Sequence, residues 1–215
     1  MNRLNWYLRG FMVFYLFLIY VVNIYFEHYT FYMFLNIILA YIPFELGNLV
    51  VWSKSKIVII FGSMLWLLFY PNAPYLVTDF FHLEALNIYN ITGPFHFDLE
   101  EWATFMVISV GILFGLMVDL VSLIRVITKL QDTFFQKERN IVSFILIVII
   151  TVLAGYAIYL GRFPRLHSHY LLVDPKQIFD IIVANINMQS FYFSLVMAFW
   201  QIIIIYIVKL IPKWL

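Results

Sequence analysis

The sequence predicts an all-α, polytopic membrane protein, a bundle of about six transmembrane helices with two ordered outer loops, and three observations carry that expectation. First, 64% of the residues are hydrophobic and 12% charged, against about 45–50% and roughly 25% in soluble domains. Second, the mean hydropathy is +0.93, an apolar excess that a chain of this size cannot hide from water, so lipid is the solvent it requires. Third, apolar runs near the roughly 20 residues that a span needs recur along the whole chain, at about 10–26, 31–51, 56–70, 102–124, 141–160 and 190–208. Residues 1–215 are therefore read as one integral membrane domain.

Composition also removes several functions. The net charge of +1 comes from 13 Lys and Arg against 12 Asp and Glu, with no basic block to neutralise a run of phosphates, so no nucleic-acid partner is expected. There are no cysteines, which excludes disulfides, thiolate metal sites and cysteine nucleophiles. Any divalent metal would need His, Asp or Glu ligands.

Taken in order, the first run follows Arg3 and Arg9 but lacks a small-residue cleavage pattern, and its bulky Phe, Tyr and Ile content reads as a retained signal-anchor. The second carries Glu45. The third is short, and either continues into the Pro71–Pro74 segment or stops early. The fourth carries Asp119 and Gly111-x-x-x-Gly115, the latter a close helix-packing face. With a cytoplasmic N-terminus, Arg3, Arg9, Lys54, Lys56, Arg125, Lys129, Lys137, Arg139, Lys209 and Lys213 lie inside, and only Arg162, Arg165 and Lys176 lie outside. That bias predicts a multi-pass cell-membrane protein with both termini cytoplasmic and its longer segments, about 71–101 and 161–189, outside. Trp6, Trp52, Trp66, Trp102 and Trp214 fall near predicted span ends, where amphipathic rings favour the headgroup zone.

The densest polar motif runs from Tyr70 to Glu84. Pro71 and Pro74 lack the N–H that a helix needs and are expected to end the third span. Thr78 or Asp79 then suits the N-cap of a short helix over Phe80–Leu86. Asp79 and His82, three apart, share a face of that helix. They form either a carboxylate–imidazole pair for acid–base or metal chemistry, or a plain cap beside a solvated histidine. Asn72 and Tyr75 add polar groups at the same place.

Arg162 and Arg165 follow the fifth span directly, on the side where positive charge is disfavoured. They call either for a bound anion such as phosphate or carboxylate, or for a salt bridge to Asp79, Glu84, Glu100 or Glu101. The expectation is that 72–82 folds against 162–168 into one pocket of both charge signs. All five histidines, His28, His82, His96, His167 and His169, fall outside in this topology, and His167-x-His169 could offer two imidazoles to one ion. Within the membrane, Glu45 and Asp119 should face the bundle interior. They could pair with each other, bond to Asn48 or Ser122, clasp helices together, or line a proton path. Asn90-Ile91-Thr92 matches a glycosylation sequon.

The Pro71-Asn72-Ala73-Pro74-Tyr75 stretch with Thr78-Asp79 and His82, the later Gly161-Arg162-Phe163-Pro164-Arg165, and Leu39-Ala40-Tyr41-Ile42-Pro43 together resemble a bacterial membrane family catalogued as domain of unknown function 1361. The resemblance implies six spans and singles out Asn72, Pro74, Tyr75, Asp79, His82, Arg162 and Arg165. Where that family usually continues with Trp-Asn-Ser-Trp, this chain has Leu166-His167-Ser168-His169 and matches only at Ser168.

Three functions follow as expectations. In the first, Asp79 and His82 catalyse a reaction of a phosphorylated or lipid-linked envelope substrate, held by Asn72, Tyr75, Arg162, Arg165 and Ser168. In the second, Glu45 and Asp119 serve a transporter or channel component. In the third, the protein protects the envelope or binds a membrane partner without chemistry. The expected partners are membrane lipids and an anionic or lipid-linked ligand, with oligomerisation left open.

Overall fold

The computed structural model describes residues 3–26, 30–86, 97–136, 139–166 and 174–210. Its helices are α1 (Arg3–Tyr25), α2 (Tyr32–Trp52), α3 (Lys56–Phe69), α4 (Asn72–Tyr75), α5 (Leu99–Phe134), α6 (Arg139–Arg162), α7 (Pro175–Ala184) and α8 (Met188–Leu210), with a 3₁₀ segment, Leu76–Ala85, following α4 directly. Among the described residues six helical stretches are long and apolar enough to cross a membrane, in the places the sequence predicts.

The third span runs past its prolines. Of the two expected courses it takes continuation through the Pro71–Pro74 segment, and it is the expected ending at the prolines that fails: helical structure resumes at Asn72 and carries the stretch to Glu84, 29 residues from Lys56. The prolines fall where their missing N–H groups do least harm, Pro71 at the N-cap of α4 and Pro74 in its first turn, positions whose N–H groups have no partner within the helix in any case. The freed acceptors are taken locally. Asn72 Nδ2 donates to the Phe69 carbonyl at 2.9 Å, and the Ala73 and Tyr75 amides donate to Tyr70 and Pro71 at 3.1 and 3.0 Å.

This continuation overturns two expectations. Neither Thr78 nor Asp79 is an N-cap: the 3₁₀ segment has already started, and Thr78 Oγ1 donates back to the Tyr75 carbonyl at 2.7 Å. Trp66 does not sit in an interfacial belt. It lies within the lengthened span, 1% exposed, and its indole N–H donates to Ser122 Oγ, which donates in turn to the Pro43 carbonyl at 3.0 Å.

Helix α5 is the centre of the bundle. At 1.5 Å per residue its 36 residues extend about 54 Å, well beyond a hydrocarbon core of about 30 Å. Asp98 caps it, accepting from the Glu100 and Glu101 amides at 2.8 and 3.4 Å, with both acidic side chains favoured in the first turn by the helix dipole. One core cluster joins α1, α2 and α5 through Tyr15, Ile37, Phe44 and Ile112. A second joins α3, α5, α6 and α8 through Trp66, Leu123, Ala154 and Ile205. Gly111 and Gly115 form the expected close face, where a Cβ would collide with Tyr15 and Leu76 respectively.

Helix α7 is too short to span. Asp174 caps it, accepting from the Gln177 amide at 2.9 Å, and Tyr156 Oη of α6 ties it down by donating to the Ile182 carbonyl at 2.6 Å. Helices α6 and α8 pack backbone to backbone at Gly155, where a Cβ would lie 2.7 Å from the Ser194 carbonyl oxygen and 2.8 Å from its Cα. Backbone cannot rotate aside as a side chain does. Gly155→Val should therefore cost about 1–3 kcal/mol, the usual scale for overpacking, read as a lowered thermal unfolding midpoint in detergent, whereas an unchanged midpoint would show that the two helices separate freely.

Candidate functional site

The 3₁₀ segment sets the site. Its side chains at i and i+3 eclipse, so Leu76, Asp79 and His82 lie along one line. Leu76 is fully buried, the Asp79 side chain is 1% exposed and that of His82 44%. The line runs from the core to the surface, with a carboxylate in the middle and an imidazole at the rim.

Three elements converge on Asp79. From α2, Asn36 Nδ2 donates to Asp79 Oδ2 at 2.8 Å. From the C-terminus of α6, Arg162 Nη1 lies 3.5 Å from Asp79 Oδ1, and from the 3₁₀ segment His82 Nε2 lies 3.7 Å from the same oxygen. Neither of the last two is close enough to be a strong hydrogen bond, and Oδ1 is buried without a hydrogen-bond partner.

Arg162 is held by other contacts. Its Nη2 donates to the Thr78 carbonyl at 2.9 Å and its Nη1 to Tyr75 Oη at 3.3 Å, while the guanidinium carbon stands 5.8 Å from the centre of the Tyr75 ring, within cation–π range. The His82 ring packs against Tyr32 of α2, with centroids 4.4 Å apart. The Tyr32 hydroxyl is itself buried and without a hydrogen-bond partner.

The structure thus brings together Asp79, His82, Tyr75 and Arg162 from the sequence-based candidates. Asn72 serves the helix restart through its bond to Phe69. Arg165 is not drawn in: it is exposed and takes a left-handed φ of 56°, and beyond the intervening Pro164 the Leu166 amide donates back to the Leu160 carbonyl at 3.0 Å. Ser168, His28, His96, His167, His169 and the Asn90 sequon lie outside the described residues. Among the described residues no group of three or more His, Asp and Glu is placed to hold a metal. Sequence reasoning passed over Asn36 and Tyr32. An Asn within an apolar span signals an interhelical bond, whereas one Tyr among 15 carries no such signal.

The two intramembrane carboxyl groups have separate surroundings. Glu45 makes a bidentate pair with Arg9, Nε to Oε1 and Nη2 to Oε2, both at 2.7 Å. It also accepts from Tyr41 Oη at 2.7 Å and Asn48 Nδ2 at 3.2 Å. Asn48 and Asn5 continue this network to Arg125 Nη1, at 3.1 and 2.7 Å, so it clasps α1, α2 and α5 near the C-terminal end of α2. Asp119 is buried beside Tyr70, and its Oδ1 has no hydrogen-bond partner. It bonds neither Glu45 nor Ser122; Tyr70 Oη donates onward to Gln201 Oε1 at 3.2 Å.

A buried carboxylate that loses its cation keeps its desolvation cost without compensation. Arg162→Leu should accordingly lower stability by about 3 kcal/mol, measured as a fall in the thermal midpoint, and adding Asp79→Leu should recover part of that loss. Additive losses in the double variant would mean that the two groups do not interact.

No curated protein and no solved structure matches the chain. Residues 35–204 match the family described as protein of unknown function (DUF1361), a stretch from α2 to α8 that includes every group around Asp79 except Tyr32. With most of its length matched in this way, the chain belongs to that family.

Proposed function

We propose that this protein is a multi-pass cell-membrane enzyme whose Asp79 and His82 perform acid–base chemistry on a phosphorylated or lipid-linked envelope substrate at the outer headgroup level. The supporting observation is the unpartnered, buried Oδ1 of Asp79, set between the Arg162 guanidinium and a half-exposed imidazole. A carboxylate fixed at one oxygen by Asn36 and without a hydrogen bond at the other is able to orient an imidazole or receive a substrate proton. His82, at the rim, is the group a substrate meets first. Phe80 and Phe81 beside it are exposed, which suits an approach from lipid.

The transport reading draws on Asp119, buried beside Tyr70 just before the helix restart with one oxygen unpartnered. Discontinuous helices do mark transport sites. The ties from Glu45 to Arg9, Tyr41 and Asn48 favour a structural role for that carboxyl, so the polar route would run without it.

The test of the enzymatic reading is conversion of lipid-extract components by the protein in nanodiscs, followed by mass spectrometry. Asp79→Asn and His82→Gln should each slow turnover by about 10²–10⁴-fold, the usual contribution of a general acid or base, with protein levels unchanged. Equal turnover by both variants would overturn the reading. The orientation follows the Lys/Arg bias, and a reporter fused after Leu215 should be active only inside the cell; activity only outside would reverse it.

A further inference from the structure

We infer that the group admitted at Asp79 is a hydroxyl, as carried by a glycerol or sugar headgroup, rather than a phosphate; the inference rests on the proposed substrate site but concerns what binds there, not whether it reacts. Two buried polar atoms in this site lack hydrogen-bond partners, and they are of opposite kinds. Asp79 Oδ1 is an acceptor without a donor, and the Tyr32 hydroxyl holds a proton without an acceptor. The two groups share one neighbourhood, since the Tyr32 ring packs on His82 at 4.4 Å and His82 Nε2 stands 3.7 Å from Oδ1. Buried polar atoms left unpaired cost about 1–3 kcal/mol each.

A hydroxyl donates and accepts at once, so one such group can give its proton to Oδ1 and take one from Tyr32. Ionised phosphate oxygens only accept, and they would bring negative charge against Oδ1. The cation that would have to offset this is already engaged. Arg162 already faces Asp79 Oδ1 at 3.5 Å, and two of its five N–H donors go to Thr78 and Tyr75, so its charge is matched by Asp79 before a second anion arrives. Arg165, the other expected phosphate ligand, stands exposed and outside this cluster.

Exposure of His82 provides the readout. The full-length protein is placed in nanodiscs of phosphatidylcholine alone, or of phosphatidylcholine mixed with phosphatidylglycerol or with phosphatidic acid, and carbethoxylation of His82 is followed by peptide mass spectrometry. Phosphatidylglycerol carries a diol; phosphatidic acid, assayed at a pH well above the second ionisation of its phosphate, carries a dianionic phosphate and no hydroxyl. The expected result is that phosphatidylglycerol slows modification about tenfold, the factor that one charge-assisted hydrogen bond supplies, while phosphatidic acid does not. Tyr32→Phe and Asp79→Asn should remove the protection, and Tyr32→Phe takes away only an oxygen. Protection by free glycerol in phosphatidylcholine discs, without phosphatidylglycerol, would keep the hydroxyl class and assign it to a soluble source. Equal protection by phosphatidic acid, no protection by any additive, or full protection in Tyr32→Phe would each overturn the inference. Protection without turnover would leave the hydroxyl site standing and remove the enzymatic reading, and turnover with protection by phosphatidic acid would do the reverse.

Discussion

A backbone crossing hydrocarbon has to satisfy its own polar groups, and the third span has to do so with Pro71 and Pro74 in its path. The arrangement around Asp79 depends on how it does this. An open break would strand the carbonyls at the end of α3, so the chain restarts at once, with Asn72 returning a donor to Phe69. It then runs as a 3₁₀ segment rather than an α-helix. That tighter turn brings Asp79 and His82 into eclipse and aims the carboxylate at α2 and α6 instead of at its own helix end.

The carboxylate then acts as a joint. Asn36 reaches it from α2 and Arg162 from α6, so three elements distant in sequence are tied at one point. At the opposite end of α2 the pair of Arg9 with Glu45, extended through Asn48 and Asn5 to Arg125, ties α1, α2 and α5. These clasps differ in completeness. Both oxygens of Glu45 are bonded, whereas Asp79 Oδ1 and the Tyr32 hydroxyl are left over. A finished clasp is what a purely structural role requires, and an unfinished one beside a half-exposed imidazole supports the reading of Asp79 as the functional carboxylate. Burial raises the stakes, because a low-dielectric surrounding strengthens each interaction made there and penalises each one missing.

Much of the fold was legible in the residues alone. Apolar runs of spanning length predicted the six membrane helices, since hydrocarbon thickness sets a length that can be read one residue at a time, and Gly111-x-x-x-Gly115 marked a close packing face on α5 for the same local reason. The motif from Asn72 to His82 and the two arginines after the fifth span, Arg162 and Arg165, pointed to the polar region, because charges near apolar runs are costly wherever the chain goes. Tertiary structure alone decided between the two courses open to the third span, in favour of passing its prolines, and decided that Trp66 is core, that Asp79 bonds to Asn36 rather than capping a helix, and that Arg162 joins it while Arg165 does not. Each of these depends on which helices lie side by side and at what depth and rotation. A pairwise distance between remote residues has no counterpart in local periodicity or composition.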